Sequence, residues 1–211
     1  MKEIEKHVYV ALIGRPNVGK STFLNTLLEK VSITSPIPQT TRRRVLGIYN
    51  HPNAQIIFFD TPGIHQSKKQ FNQKINSEAI RSLKDADYVL YFLDGSRESI
   101  EDEEIQTILQ EKNIDFLCVY TKSDLPKKRE IPENALQISS KNQEGFPEII
   151  QKITEKLPLS HLWYPEEYYT DQDMYFRISE IVREKVFLST AQEIPHSVFV
   201  ENSSIYLHRN R

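Results

Sequence analysis

"HVYVALIGRPNVGKSTFLNTLLEK", residues 7–30, decides the architecture. Residues 8–13 form a short apolar run that reads as a buried strand, and Lys20 onward reads as a helix. Between them lies Gly14-x-x-x-x-Gly19-Lys20-Ser21. In a strand–loop–helix setting this is the pattern of a phosphate-cradling loop. Gly14 and Gly19 permit backbone angles that other residues resist. The N–H groups of Arg15, Pro16's neighbours, Asn17 and Val18 can then turn inward as an anion nest. The helix beginning at Lys20, Ser21 and Thr22 adds its N-terminal partial positive charge. Lys20 can reach β- and γ-phosphates, and Ser21 can ligate Mg²⁺. The loop alone does not choose between ATP and GTP.

Outward from this stretch, apolar runs alternate with helical ones. Residues 43–50 and 54–60 are separated by the turn signal "HPN" and read as a hairpin. Residues 86–95, 114–121 and 135–140 read as further buried strands. Helices are expected at about 20–30, 71–84, 100–112 and 145–157. The order predicts an α/β P-loop fold: a mostly parallel sheet with one antiparallel hairpin, covered by helices. Ligands of such sheets sit at the carboxyl ends of the strands. Here those ends carry Gly14, Asp60, Asp94, Thr121 and Ser139, which should ring one site.

With 211 residues, a net charge of −2 and 38% hydrophobic residues, the chain can bury the core of one domain plus a small appendage. The charge balance selects no polyanionic partner. The single cysteine, Cys118, excludes an intramolecular disulfide and reads as a core filler in a reducing compartment. No apolar stretch approaches the roughly 20 residues of a bilayer span. The N-terminus lacks a signal-peptide core, so a cytoplasmic location is expected.

Four further clusters complete the proposed ligand set. In "DTPGIH", Asp60 can hold Mg²⁺ opposite Ser21, Thr61 and Pro62 lead the turn, and Gly63 can offer its N–H to a γ-phosphate. In "ITSPIPQTTRRR" (33–44), a Thr hydroxyl can complete the metal shell, with Thr41 favoured over Thr40. The three arginines at 42–44 suit either a solvated run or a contact with RNA or phosphate. "TKSD" (121–124) addresses the base. The Asp124 carboxylate can accept from guanine N1–H and its 2-amino group, donors that adenine lacks, while Lys122 lies along the purine face. In "SSK", Ser139, Ser140 and Lys141 follow the next strand, and the Ser140 N–H can meet guanine O6. Together these favour GTP over ATP.

"GRPNVGKST", "VSITSPIPQTTRRRVLGIY", "DTPGIH", "TKSD" and "SSKN", in this order and spacing, resemble the Era family of bacterial GTPases. The resemblance implies a GTPase domain followed by a KH-type RNA-binding domain that docks on 16S rRNA during small-subunit assembly. It implies slow GTP hydrolysis, Mg²⁺ as cofactor with Lys20, Thr41 and Gly63 as catalytic groups, and, in some relatives, peripheral association with the inner membrane. A monomer is expected. Asn17 resembles the phosphate-loop Asn of relatives that recruit K⁺, or else it simply stabilises the loop.

The chain departs from the family pattern at Thr121, where the family usually carries Asn. The shorter side chain predicts a weaker tie between base loop and phosphate loop, and weaker nucleotide binding. Ile64 stands where Ras-like enzymes position water with Gln, a substitution the family shares, and His65 is a poor candidate base. Domains are expected at 1–157 (GTP-binding), 158–170 (docked linker, with Trp163 as packing anchor) and 171–211 (partial KH-like). The last opens with a helix over 171–190, capped by Asp171, with an apolar face of Met174, Ile178, Ile181, Val182 and Val186. One or two strand-like pieces follow in 195–211. No glycine follows Gly145, so the GxxG clamp of KH domains is absent from these residues. Residues 171–211 hold five basic against six acidic side chains, which is no basic patch. The segment therefore matches only the start of that second domain, as in a fragment or a shortened relative. The alternative reading is a GTP/GDP-dependent switch with little hydrolysis and no RNA contact of its own.

Overall fold

The computed structural model describes residues 6–28, 31–32, 45–52, 54–63, 83–156, 163–189 and 200. Six strands form one sheet: β1 (Lys6–Ile13), β2 (Val45–His51), β3 (Ala54–Asp60), β4 (Tyr88–Asp94), β5 (Phe116–Thr121) and β6 (Leu136–Gln137), in the order β2-β3-β1-β4-β5-β6. β2 runs antiparallel to β3, and every other pairing is parallel. The expected sheet, with its one hairpin, is present.

The pleat of β1 sorts the core. Val8, Val10 and Leu12 face a cluster built with Phe23 and Leu24 of α1 (Lys20–Leu27) and Phe146, Ile149, Ile150 and Ile153 of α3 (Phe146–Glu155). Ala11 and Ile13 face a second cluster with Ile105 and Leu109 of α2 (Ile100–Glu111). Helices thus cover both faces, and β3 and β4 are buried at every position. Phe23 is central to the first cluster: its ring lies 5.2–5.8 Å from those of Phe146, Phe92 and Phe58. Full burial of such a side chain stabilises the fold by about 1.5–3 kcal/mol, so Phe23 fixes the helix that carries Lys20.

Several expectations are revised. The strand expected over 135–140 has only two paired residues, both half-buried, because the chain turns at once into a Ser139–Glu144 bridge. Cys118 is half-buried against the second cluster. Trp163 is 62% exposed and touches Tyr9 edge-on, so it anchors little. Residues 163–170 dock instead through main-chain bonds. Gln55 Oε1 accepts from the N–H groups of Trp163 and Tyr164, and the Ile48 N–H donates to the Tyr169 carbonyl. Thr170 Oγ1 donates to the Leu46 carbonyl at 2.8 Å.

The last described helix, α4 (Met174–Ser189), is capped by Asp173, not Asp171: Asp173 Oδ1 accepts from the Phe176 N–H at 2.9 Å. Its periodic apolar face is partly open, with Met174, Ile181 and Val182 exposed and Ile178 and Val186 half-buried, whereas Arg183, Glu184 and Phe187 are buried. The helix expected over 71–84 lies outside the described residues except for its last two positions. The strand-like pieces of 195–211 lie outside them apart from Val200, and the switch stretch 33–44 with Thr40, Thr41 and the three arginines lies wholly outside, as do Ile64 and His65.

Candidate functional site

The parallel strands end together, and the predicted ligands collect there. Gly14 follows β1 with φ +153°, and a Cβ on it would stand 2.6 Å from the Phe92 carbonyl oxygen. Only glycine lets the loop leave β1 this close to β4. Asn17 (φ 60°) and Gly19 (φ 110°) take left-handed backbone angles that bend the loop. No side chain caps α1, whose N-cap is Gly19. A helix N-terminus of this kind is suited to an anionic ligand.

Lys20 is buried, and its Nζ donates to the Gly14 carbonyl at 2.9 Å and the Arg15 carbonyl at 3.1 Å. Burial pulls its pKa from 10.5 down to about 8; Asp60 pushes back up and Arg15 pulls further down. Asp60 ends β3 fully buried, and burial raises its carboxyl above the usual range despite hydrogen bonds from Ser21 and Ser32 and the charge of Lys20. Ser32 Oγ donates to Asp60 Oδ2 at 2.7 Å, while Oδ1 is buried with no hydrogen-bond partner. Such an orphaned oxygen is costly. An anionic oxygen beside a serine hydroxyl suits a hydrated Mg²⁺, so the donor set fits the metal.

Thr61, Pro62 and Gly63 follow, all buried, with Thr61 Oγ1 donating to the Leu12 carbonyl at 2.7 Å. A Cβ on Gly63 would lie 2.5 Å from Pro16 N and 2.7 Å from Pro16 Cα. The two loops therefore meet face to face, and any side chain at 63 would drive them apart.

At the other end, Thr121 closes β5. Its hydroxyl donates to the Val18 carbonyl at 2.7 Å, so base loop and phosphate loop are tied despite the short side chain. Thr121 thus does reach the phosphate loop. Lys122 takes φ 59° and pairs with Asp94 Oδ2 at 2.6 Å. Asp124 is exposed, and one of its carboxylate oxygens accepts from Ser139 Oγ at 2.8 Å. Ser139 is fully buried, Ser140 half-buried and Lys141 exposed beside it.

Side-chain contacts that no motif encodes also shape the site. The Asn25 side chain clamps the Val31 and Ser32 backbone with three bonds of 2.7–3.0 Å, which sets Ser32 against Asp60. Arg15 is drawn into a buried ion cluster, with its Nε 3.2 Å from Asp102 Oδ1. Its side chain is committed there, so the loop has its backbone to offer a ligand at this position.

Residues 9–122 match the family model described as a 50S ribosome-binding GTPase. The chain is 44% identical to the GTPase Era of Treponema denticola over 217 aligned residues, covering 95% of this chain and 74% of that protein. It superposes with a TM-score of 0.83 and 38% identity on Era in complex with MgGDPNP and nucleotides 1506–1542 of 16S ribosomal RNA, covering 92% of this chain and 70% of that one. A variant of Aquifex aeolicus Era bound to GDP·AlF₄⁻ gives 0.84 and 39%, covering 91% of this chain and 70% of that one. Motif order, sheet order and these matches converge: the chain belongs to the Era family of GTPases.

Proposed function

We propose that the protein binds GTP and hydrolyses it slowly to GDP and phosphate, using the two states to govern contact with small-subunit 16S rRNA during ribosome assembly. The observation that carries the nucleotide reading is the pairing, at the carboxyl ends of the parallel strands, of a buried lysine in a glycine-bent loop with an exposed carboxylate braced by a serine. Phosphates take the place of the carbonyls that Lys20 now bonds. Gly14 to Thr22, Pro16 excepted, supply N–H groups, and Lys20 neutralises charge developing on the γ-phosphate as water attacks. Gly63, at its close approach to Pro16, supplies a further N–H. Ser21, Asp60 and Thr41 would hold Mg²⁺, which supplies charge neutralisation across the β- and γ-phosphates. Asp124 reads guanine, Lys122 flanks its face, and Ser140 and Lys141 close the pocket.

Asn17, at the bend of the loop, is the proposed contact for K⁺; equal single-turnover rates in K⁺ and Na⁺ would remove that role. Residues 1–157 form the GTP-binding domain in this reading, 158–170 the linker, and 171–211 the start of a KH-like domain. The work is placed in the cytoplasm on family grounds; among the described residues no helix is long and apolar enough to cross a membrane.

The charge balance and lack of glycine in 171–211 favour one second reading: a GTP/GDP switch in which these residues add no RNA contact. Affinity for a 16S 3′-end RNA that falls steeply with salt supports the first reading, and salt-independent or absent binding supports the second.

The nucleotide reading is tested by equilibrium affinities for GDP, ADP and XDP. The wild-type chain is expected to prefer GDP over ADP by at least about a hundredfold, since a site built to bond the base leaves its groups unpaired otherwise. Asp124→Asn exchanges an acceptor for a donor and is expected to reverse the order of GDP and XDP. An unchanged order would remove Asp124 as the reader of the base.

A further inference from the structure

The strand end at Asp94 has no part in the scheme above, yet it lies between the site's two halves. Asp94 is 3% exposed. Its Oδ1 accepts from the Ser96 N–H at 2.9 Å and the Ser96 hydroxyl at 2.6 Å, which sets the carboxylate's orientation. Its Oδ2 meets two cations from different loops: Lys122 Nζ at 2.6 Å and Arg15 Nη2 at 3.6 Å. Behind Arg15 stands Asp102, also 3% exposed, which takes Arg15 Nε on one oxygen and Arg129 Nη1, at 3.0 Å, on the other. Three cations and two carboxylates are thus interleaved, and each carboxylate has a cation on either side. Burial alone would raise the Asp94 carboxyl, but the Lys122 and Ser96 hydrogen bonds outweigh it and hold the group below its ordinary range.

The backbone around this pair is restrained in the same sense. Lys122 sits at φ 59°, a left-handed angle a lysine adopts at a cost. The Gly95 N–H donates to the Thr121 carbonyl at 3.0 Å, and the Lys128 N–H to the Gly95 carbonyl at 3.1 Å. The turn after β4 therefore grips the loop that carries Lys122 by main chain as well as by charge. A free lysine of this length samples many rotamers, and that freedom would be lost on packing along a ligand. An ammonium already held by a buried carboxylate has lost much of it beforehand.

We infer that Asp94 is a positioning residue shared by both halves of the site, holding the Lys122 ammonium for the guanine face while gripping Arg15 of the phosphate loop. The inference rests on the nucleotide reading given above. It makes the contribution of Lys122 to binding conditional on the residue at 94. A carboxylate that only stabilised the fold would leave that contribution unchanged.

The experiment is a double-mutant cycle on GDP affinity in the full chain: wild type, Asp94→Asn, Lys122→Met and the double variant, with urea midpoints measured alongside. Lys122→Met is expected to weaken GDP binding about tenfold in the wild-type background, the scale of a lost contact between an ammonium and an aromatic face. In the Asp94→Asn background the same change is expected to cost less than about twofold. Should Asp94→Asn not fold, Asp94→Glu is read in the same cycle. Its charge is kept but its longer arm displaces the ammonium, and the cost of Lys122→Met again shrinks. A Lys122→Met cost that is equal in both backgrounds overturns the inference while leaving the nucleotide reading intact. Absence of GDP binding by the wild-type chain defeats the nucleotide reading, and this inference with it.

Discussion

The phosphate half and the base half of the site are built on opposite plans. At the phosphate half the working groups are buried: Lys20 at 6% exposure, and Asp60 and Thr61 at none. The protein itself bonds Lys20 and Thr61, and one oxygen of Asp60 is left over. At the base half Asp124 and Lys141 stand in the open, with Asp124 braced by the buried Ser139. The first half has already lost its water and is shaped for a charge it must receive. The second keeps its water until a purine replaces it. Electrostatic interactions gain strength as water is excluded, so binding energy should concentrate at the phosphate half and selectivity at the base half.

Removing the ammonium should break that contrast most severely. Lys20→Ala is expected to weaken GDP binding about a hundredfold, or ~2.7 kcal/mol, because a buried charge-assisted contact to phosphate disappears. The preference for guanine over adenine should stay as it was. Calorimetric titration with GDP and ADP checks both, and a loss of selectivity along with affinity would show that the halves are not separable.

The tie between the halves ranks next. Thr121→Val keeps the shape but leaves the buried Val18 carbonyl without its 2.7 Å donor. Leaving a buried acceptor unpaired costs about 1–3 kcal/mol. Roughly tenfold faster release of a fluorescent GDP is the outcome expected from the low half of that range. Release at the wild-type rate would mean that the halves hold their spacing without this bond.

How much of this contrast could be read from residues alone follows from where its information sits. Lys20, Asp60 and Asp124 were legible because each falls at a fixed offset from an apolar strand, and β3 was legible to the residue because every one of its positions is buried. Short strands were not: β6 has two paired residues, too few for a period to show. Asn25 belongs to no motif and Ser32 only opens one without a role of its own; their value comes from a clamp set up when α1 packs on the sheet through Phe23. The Arg15–Asp102 pair joins residues 87 positions apart, a contact no local pattern encodes. The helix at 174–189 shows the limit of periodicity for a related reason. Its apolar spacing is regular, but Arg183 and Glu184 are buried while Ile181 and Val182 are open. Periodicity reports which face could be buried, and tertiary packing decides which one is.

The smallest effect sharpens the comparison by pH. Lys20 titrates near 8 in the ligand-free fold against 10.5 ordinarily, chiefly because burial penalises its charge. The folded pKa is depressed, so this group's contribution to stability is complete above 10.5 and is lost as pH falls through 8. Nucleotide binding runs the other way, since a phosphate needs the ammonium and raises its pKa. Between pH 7.5 and 8.5 the protonated fraction of a group with pKa 8 falls roughly threefold, and GDP affinity should fall with it. Lys20→Met removes the titrating group and should flatten the profile over the same interval. The base half supplies the internal control: Asp124 stands beyond β5, at the other half of the site from Lys20, so the GDP-to-ADP ratio should not move. A flat wild-type profile would place the Lys20 ammonium in contact with water, and the dry phosphate half would then be no different from the wet base half.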